Sequence, residues 1–350
     1  MRWTCMENTW TGGNKMGKIY TKQGWVNWSW IMQDPATFIV MVGPRAVGKT
    51  YGVFDWAIDN HCKFIYVRRL KTQLDLCGKP AGNPFRKISI DKRINIIPFQ
   101  SDGIISFRLD CRSGDEIACG VALSTVATVR GVDFSDYDMI VFDEAVPMAG
   151  EKPIKNEFDT FLNFYETVNR NRELQGLKPV KCILLGNANK LSNPYFTGWH
   201  FTKTAIRMLR GHQMVYRTPD GSRMMILLLD SPISKQKAET ALYKNANDGF
   251  LSMALDNAFQ TDETNIKSEP IKEYRHIVSV GEIGIYKHKS ERKYFVSSQV
   301  STPYYSDFGI QLKMFQQDYF MLRVNYMVNK NVLFEDFENE LLFREYFDLN

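Results

Sequence analysis

The 350-residue chain lacks any apolar run approaching the ~20 residues of a membrane-spanning helix. Its first residues lack the basic-then-apolar layout of a signal peptide, so the protein is expected to stay where it is made, with no membrane partner. Cysteine is sparse and unpatterned. Cys5, Cys62, Cys77, Cys111, Cys119 and Cys182 form no CxxC pair, which predicts reduced, packing thiols. Five histidines without ligand spacing argue against a structural zinc site. Internal repeats and low-complexity blocks are absent, and charge bias is weak. The net charge is +5, with 26 Lys and Arg against 20 Asp and Glu up to residue 205, and 18 against 19 beyond it. Such a balance permits contact with a phosphate backbone without requiring it.

What is present is enough for packed cores: 44% hydrophobic residues, 13% of the chain aromatic, at a length that suits two domains. Residues 1–36 have no clear period and read as an N-terminal arm. From residue 37 short apolar runs alternate with helix-like segments. Residues 37–42, 63–67, 139–142 and 181–185 have the continuous hydrophobicity of strands buried on both faces, and 155–173 has helical spacing. Residues 104–109 and 116–123 flank a hairpin-like turn. The alternation predicts an α/β domain with a mostly parallel central sheet.

Gly43, Pro44, Arg45, Ala46, Val47, Gly48, Lys49 and Thr50 match the phosphate-binding pattern G-x-x-x-x-G-K-[ST] between a buried strand and a helix, the context that the pattern requires. The two glycines permit the tight path on which backbone N–H groups wrap a β-phosphate. Lys49 supplies a cation to the β- and γ-phosphates, and the Thr50 hydroxyl is a Mg2+ ligand. The helix that starts there adds the positive end of its dipole.

The run Met139-Ile140-Val141-Phe142 ends in Asp143-Glu144. Asp143 is the expected acid of the Mg2+ shell, and Glu144 the group that orients or deprotonates the attacking water. A glutamate directly after the metal-binding aspartate marks the ASCE class of P-loop ATPases, which carries an additional strand. Residues 104–123 leave room for that strand, and no guanine-reading segment is evident, so ATP is the expected nucleotide. Asn187, at the end of the 181–185 run, is a candidate γ-phosphate sensor; the plainer alternative is that it and Asn189 cap a turn. Arg170, Arg172, Arg45, Arg68, Arg69 and Arg130 all compete as the arginine that reaches a neighbouring subunit's nucleotide. Gln23 and Gln33 are adenine-contact candidates only in that they precede the first strand.

Four segments make the pattern more specific: Phe64-Ile65-Tyr66-Val67-Arg68-Arg69, Val141-Phe142-Asp143-Glu144, Arg170-Asn171-Arg172-Glu173 and Asn193-Pro194-Tyr195-Phe196. In this order, over residues 38–200, the chain resembles the DNA-packaging ATPases of tailed bacteriophages, specifically the phi29-type motor. The resemblance implies a homomeric, five-fold ring acting on double-stranded DNA in the host cytoplasm, docked transiently on the portal of a procapsid. In such systems a phage-encoded RNA bridges motor and capsid. The resemblance also aligns Arg170 with the arginine finger, leaving Arg172 as runner-up.

Beyond residue 205 the likeness is thin, resting on residues 249–259 and the strand-rich stretch that follows. There it implies a small α+β domain, RNase H-like and without nuclease activity, that contacts DNA or RNA. The expected division is an arm at 1–36, an ASCE ATPase domain at 37–205, a linker or hinge at 206–248, and a nucleic-acid-contacting domain at 249–350. The last 43 residues are expected to mix aromatic-rich strands with an acidic helical tail. Tyr274-Arg275-His276, Tyr286-Lys287-His288-Lys289 and Arg292-Lys293-Tyr294 interleave basic and aromatic residues as a backbone-tracking surface does, or form a solvated hairpin tip. Two further functions fit the sequence less well. A complete terminase needs acids converging from separate strands, and Asp230, Asp256, Glu282, Asp307 and Asp318 form no strand-centred set. An RNA- or capsid-binding assembly factor would use its ATPase only as a conformational switch.

Overall fold

Strands as apolar as residues 38–42 and 139–142 must lie inside a sheet covered on both faces, and they do. The computed structural model describes residues 19–349 except 102, 130, 149–150, 188–190, 192, 245–265 and 268. The chain divides into two units, one of Met1–Asn189 with Gly211–Ala258, the other of Lys190–Arg210 with Phe259–Asn350.

The first unit is built on nine strands: β1 (Phe38–Val42), β2 (Phe64–Arg68), β3 (Ile96–Ser101), β4 (Ile104–Leu109), β5 (Glu116–Ala122), β6 (Met139–Phe142), β7 (Lys181–Gly186), β8 (Val215–Arg217) and β9 (Arg223–Leu227). Their order is β3-β4-β5-β2-β6-β7-β1-β9-β8. The six strands from β5 to β9 in that order are mutually parallel, and antiparallel strands close both edges. The predicted parallel α/β sheet is therefore present. The strand between β1 and β6 is β7, not part of the 104–123 segment. That segment forms its hairpin on the far side of β2, because β5 runs parallel to β2 and leaves β4 no other edge.

Helices α1 (Trp28–Ile31), α2 (Lys49–Asp59), α3 (Lys71–Cys77), α4 (Arg86–Lys92) and α5 (Glu157–Asn169) belong to this unit. In α2, Val53, Phe54 and Ala57 are buried at helical spacing, and Phe54 stacks on Phe85 at 4.8 Å. In α5 the buried stripe is Phe161, Phe164 and Val168, whereas Leu162 faces solvent.

Three boundaries differ from expectation. Residues 19–36 are no loose arm, since Ile19, Val26, Trp28 and Ile31 join the main core. The expected linker at 206–248 contains β8 and β9, and β9 pairs with β1 along its whole length. Its Met224, Met225, Ile226 and Leu227 are completely buried, a hydrophobic gain that a free linker would forgo. The helix Thr202–Arg210 belongs to the second unit. Of the thiols, Cys77, Cys119 and Cys182 are free and buried and Cys111 free and exposed; Cys62 departs from the expected reduced state and is disulfide-bonded.

The second unit holds a five-stranded sheet ordered β13-β10-β11-β12-β14, with β10 (Tyr274–Val280), β11 (Ile283–His288), β12 (Tyr294–Ser297), β13 (Tyr304–Tyr305) and β14 (Val332–Phe334). β10, β11 and β12 form an antiparallel meander, and β13 and β14 flank it in parallel pairings. The aromatic-rich segment expected as strands is largely helical over 309–329. Its Leu312 and Phe315 share one face of the helix Gly309–Asp318, and with Leu322 of the short helix after it they join this unit's core.

One ion cluster ties β2 to α5. Arg69, 1% exposed, lies just past β2 and meets both carboxylate oxygens of Glu157 at 2.7 and 2.8 Å and Glu151 at 2.8 Å. Glu157→Ala should cost about 3–5 kcal/mol by leaving a buried guanidinium under-compensated. Urea denaturation followed by circular dichroism would register this as a clear drop in midpoint. Lys71→Ala, which breaks the exposed pair with Asp75, should barely move it. Similar small shifts for both variants would show that the buried cluster is no anchor.

Candidate functional site

Parallel strands present their C-terminal ends along one edge, and the fold uses this edge to gather distant residues. Val42 lies opposite Gly186 across β1 and β7, while Phe142 lies opposite Leu184 across β6 and β7. The residues that follow these strands, Gly43, Asn187 and Asp143, therefore emerge side by side. The loop from Gly43 to Gly48 has the tight path expected of it. Gly48 has φ +88°, and any Cβ on Gly43 would stand 2.5 Å from the Leu228 Cβ.

Lys49 is buried, and its Nζ donates to the carbonyl oxygens of Gly43 (2.9 Å) and Pro44 (2.6 Å) and to Asn187 Oδ1 (3.1 Å). Thr50 Oγ1 donates to Asp143 Oδ1 at 2.8 Å, closing a gap of 93 residues in sequence. Glu144 follows with φ +53°, a left-handed backbone that is rare for glutamate and common where a side chain must be aimed. Around these groups lies a cavity of about 390 Å3, lined among others by Arg45, Gly48, Thr50, Asp143, Glu144 and Asn187.

One residue that sequence reasoning placed elsewhere completes the site. Arg68, at the end of β2, sends Nη1 to Asp143 Oδ2 (3.2 Å) and Nη2 to Glu144 Oε2, and Nη1 also reaches the Tyr66 hydroxyl at 3.3 Å. The signal lay in the register: Val67 pairs with Phe142, so the next residue on β2 stands beside Asp143. In this state Glu144 is ion-paired with Arg68.

The other arginines separate by environment. Arg69 is in the buried cluster already described. Arg172 is held by Asp138 (2.6 Å) and by the carbonyls of Tyr137 and Lys178, both at 3.1 Å. Arg45 is exposed on the loop of its own site, with a contact to Met148 Sδ, and Arg130 lies outside the described residues. Arg170 is not brought to the cavity. It ends α5 with φ +45° and lies half-exposed on the surface, held by long contacts to Val132 O, Thr167 O and Asp133. Gln23 and Gln33 are exposed and line neither this cavity nor the larger one beside it.

In the second unit, Glu282 and Asp307 both approach Lys203, and Asp318 accepts from the Tyr305 hydroxyl. Asp256 and residues 249–259 lie outside the described residues. Among the described residues no group of three or more His, Cys, Asp and Glu side chains is arranged to hold a metal ion. Of the basic and aromatic segments, Tyr274, His288 and Lys293 are occupied structurally, His288 against the Tyr274 ring and Lys293 in a pair with Glu269. Arg275 and Lys287, exposed cross-strand partners, face outward. No helix among the described residues is long and apolar enough to cross a membrane.

Burial pushes the Lys49 ammonium down to about 7, although nearby Asp143 acts to raise it. Phosphate oxygens delivered to Nζ would restore the value toward the ordinary ~10.4. Nucleotide binding should then take up about one proton at pH 8, and affinity should fall as pH rises from about 7 toward 10. Calorimetric titration of ADP in buffers of different ionisation enthalpy reads this directly. Zero proton uptake at pH 8 would contradict the assignment of Lys49 to the phosphates.

Comparison with known proteins identifies the family and the fold. The family model described as podovirus DNA encapsidation protein (Gp16) matches residues 22–342. The DNA packaging protein of Bacillus phage B103 is 26% identical over 247 residues, covering 69% of this chain and 70% of that protein. That of Bacillus phage phi29 is 25% identical over 246 residues, covering 69% and 67%. Two solved structures share the fold. The Phi-28 gp11 DNA packaging motor has a TM-score of 0.55 at 19% identity, covering 94% of this chain and 99% of its own. The bacteriophage Phi-29 viral genome packaging motor assembly has 0.56 at 18%, covering 92% and 99%. The chain belongs to the podovirus DNA encapsidation protein (Gp16) family.

Proposed function

We propose that this protein hydrolyses ATP as one subunit of a homomeric ring that drives double-stranded viral DNA into a procapsid. The observation that carries this reading is the meeting of Lys49, Thr50, Asp143, Glu144 and Asn187 at one edge of a parallel sheet. In this reading the Gly43–Thr50 loop wraps the β-phosphate, with Pro44, Arg45, Ala46 and Val47 supplying backbone. Lys49 bridges the β- and γ-phosphates.

Thr50 and Asp143 offer a hydroxyl and a carboxylate oxygen within 2.8 Å of each other, hard donors of the kind that Mg2+ selects. Such an ion, when bound, would offset the charge of the β- and γ-phosphates. Asp143 and Thr50 would exchange their mutual hydrogen bond for that role. Glu144 orients the attacking water and accepts its proton. Asn187, already within 3.1 Å of Lys49, senses whether a γ-phosphate is present and passes this to the chain after β7.

Arg170 is the arginine whose surroundings best suit action on a neighbouring subunit. It is half-exposed, weakly held and strained, while Arg172 and Arg69 are committed to short local pairs. In the proposed ring Arg170 completes the next subunit's site, and a portal-bearing procapsid and a packaging RNA are further proposed partners. We read the second unit as the RNase H-like, non-cleaving part, with Arg275 and Lys287 toward nucleic acid.

Glu144→Gln should retain ATP binding while losing turnover by at least ~100-fold, the scale of general base removal. A variant that hydrolyses ATP at near-normal rates would overturn the assignment. Arg170→Ala should abolish turnover alone yet contribute its intact pocket when mixed with Glu144→Gln subunits that carry a normal arginine. If no mixing ratio restores hydrolysis, the role across an interface fails. Stimulation of the ATPase by duplex DNA separates a motor from an assembly factor.

A further inference from the structure

A second cavity, of about 820 Å3, adjoins the phosphate cradle and is unused by the steps above. It meets the cradle at Ala46, Gly48 and Tyr51, which line both, and extends along α2 toward Asp55 and Asp59. Two aromatic side chains stand where the cavities join. A Cβ on Gly48 would lie 3.3 Å from Trp25 Cε3, so the indole rests directly on the loop's second glycine. Even so Trp25 remains 46% exposed. Tyr51 follows Thr50 directly and is 37% exposed, and its hydroxyl donates to Asp91 on α4 at 2.8 Å.

The backbone that carries Trp25 is tied to the loop, and the Tyr51 ring is held through its hydroxyl. Trp25 closes a turn in which Thr21 N donates to its carbonyl at 2.7 Å and its own N donates to Thr21 Oγ1 at 3.2 Å. The next residues bind the loop itself: Val26 N donates to Val47 O at 3.1 Å, and Trp28 Nε1 to Gly48 O at 3.2 Å. A large aromatic surface that lies open beside an anion site is a platform for a flat ring.

Charge decides which end of a nucleotide lies here. The carboxylates that line this cavity, Asp55, Asp59 and Asp91, are already paired with Lys92 and Lys87, so the lining leaves no uncommitted lysine for a phosphate chain. The cradle offers Lys49 and the loop's backbone N–H groups instead. Phosphates seated over Lys49 and Thr50 bring the α-phosphate to the first turn of α2, and sugar and base then continue past Tyr51 into the aromatic cavity.

We propose that Trp25 and Tyr51 form the base-binding end of the nucleotide site, with a purine ring stacked against the Trp25 indole. This rests on the phosphate-site reading given above. It also moves base recognition from Gln23 to its neighbour two residues on, within a segment hydrogen-bonded to the phosphate loop.

Two probes separate the base from the phosphates: ADP, and inorganic tripolyphosphate, which has no base. Each is titrated into the full-length chain with Mg2+. Trp25→Ala should weaken ADP roughly 5- to 150-fold, the range of one base–aromatic stack, and leave tripolyphosphate essentially unchanged. Trp25→Phe should recover most of the ADP affinity, and Tyr51→Leu, which leaves the loop's contacts with Trp25 intact, should repeat the selective loss. Equal weakening of both probes by Trp25→Ala would make the indole a loop support and overturn the proposal, as would unchanged ADP binding. A wild-type chain that binds neither probe would overturn the phosphate-site reading, and this proposal with it.

Discussion

The site depends on one constraint, the parallel register of β1, β7, β6 and β2. Parallel strands all end at one edge, so the residues after them are neighbours whatever their distance in sequence. The Thr50–Asp143 hydrogen bond of 2.8 Å exists because β1, β7 and β6 end within two residues of one another, Val42 standing opposite Gly186 and Phe142 opposite Leu184. A slip of one residue in β6 would turn Asp143 to the opposite face and replace it with Glu144 or Phe142. The burial of Met139, Ile140, Val141 and Phe142 on both faces does not itself fix that register, since either face accepts apolar side chains. Edge contacts do: Asp143 N donates to Val67 O at 3.0 Å and Ala145 N to Leu185 O at 2.8 Å, holding the end of β6 from both sides.

Given that register, the charges at the edge balance one another. Asp143 and Glu144 would repel, but Arg68 sits between them, and Tyr66 adds a hydroxyl at 3.4 Å from Asp143. Lys49 is turned inward onto two carbonyls and Asn187. The side chains of Lys49, Thr50, Asp143 and Glu144 thus each already hold a partner within the protein. A ligand has to replace these partners, so its binding energy goes partly into rearranging Arg68 and Asn187. Because Arg68 ends β2 and Asn187 follows β7, the rearrangement reaches two elements that flank the strand bearing the acids.

The legibility of the sequence follows the same division between local and non-local information. The loop from Gly43 to Thr50 and the strand ending in Asp143-Glu144 could be read because each is a short pattern whose chemistry is carried by adjacent residues. The pairing of β9 with β1 could not, because the apolar run at residues 224–229 has the continuous hydrophobicity of a buried strand but nothing local to it names β1 as its partner. Trp25 and Trp28 were likewise invisible, since their roles come from contact with glycines in the phosphate loop, twenty or more residues on. The arginines make the point most sharply. Arg68 and Arg69 are adjacent, and Arg170 and Arg172 nearly so, yet one of each pair is locked into a local ion pair while the other faces the site or the surface. Strand alternation separates the first pair, and the break at the end of α5 separates the second.

That break gives α5 a mechanical meaning within the proposed ring. Its 13 residues span about 20 Å as a rigid rod. At the start, Glu157 is clamped by Arg69, which follows Arg68 and hence adjoins the acids of the subunit's own site. At the end stands Arg170, on a strained backbone, its side chain held only by long contacts. A displacement of Arg68 when nucleotide binds would be felt first at Arg69, because consecutive residues share a peptide plane. The buried Arg69–Glu157 pair cannot stretch without exposing an unpaired charge, so the helix must move with it. The far end of the helix is itself tied, with buried Asn169 accepting from Val180 N at 2.9 Å, so the motion is delivered to the Arg170 side chain just beyond it, whose own contacts are long. A subunit built this way would convert the state of its own pocket into the position of an arginine aimed at the next one.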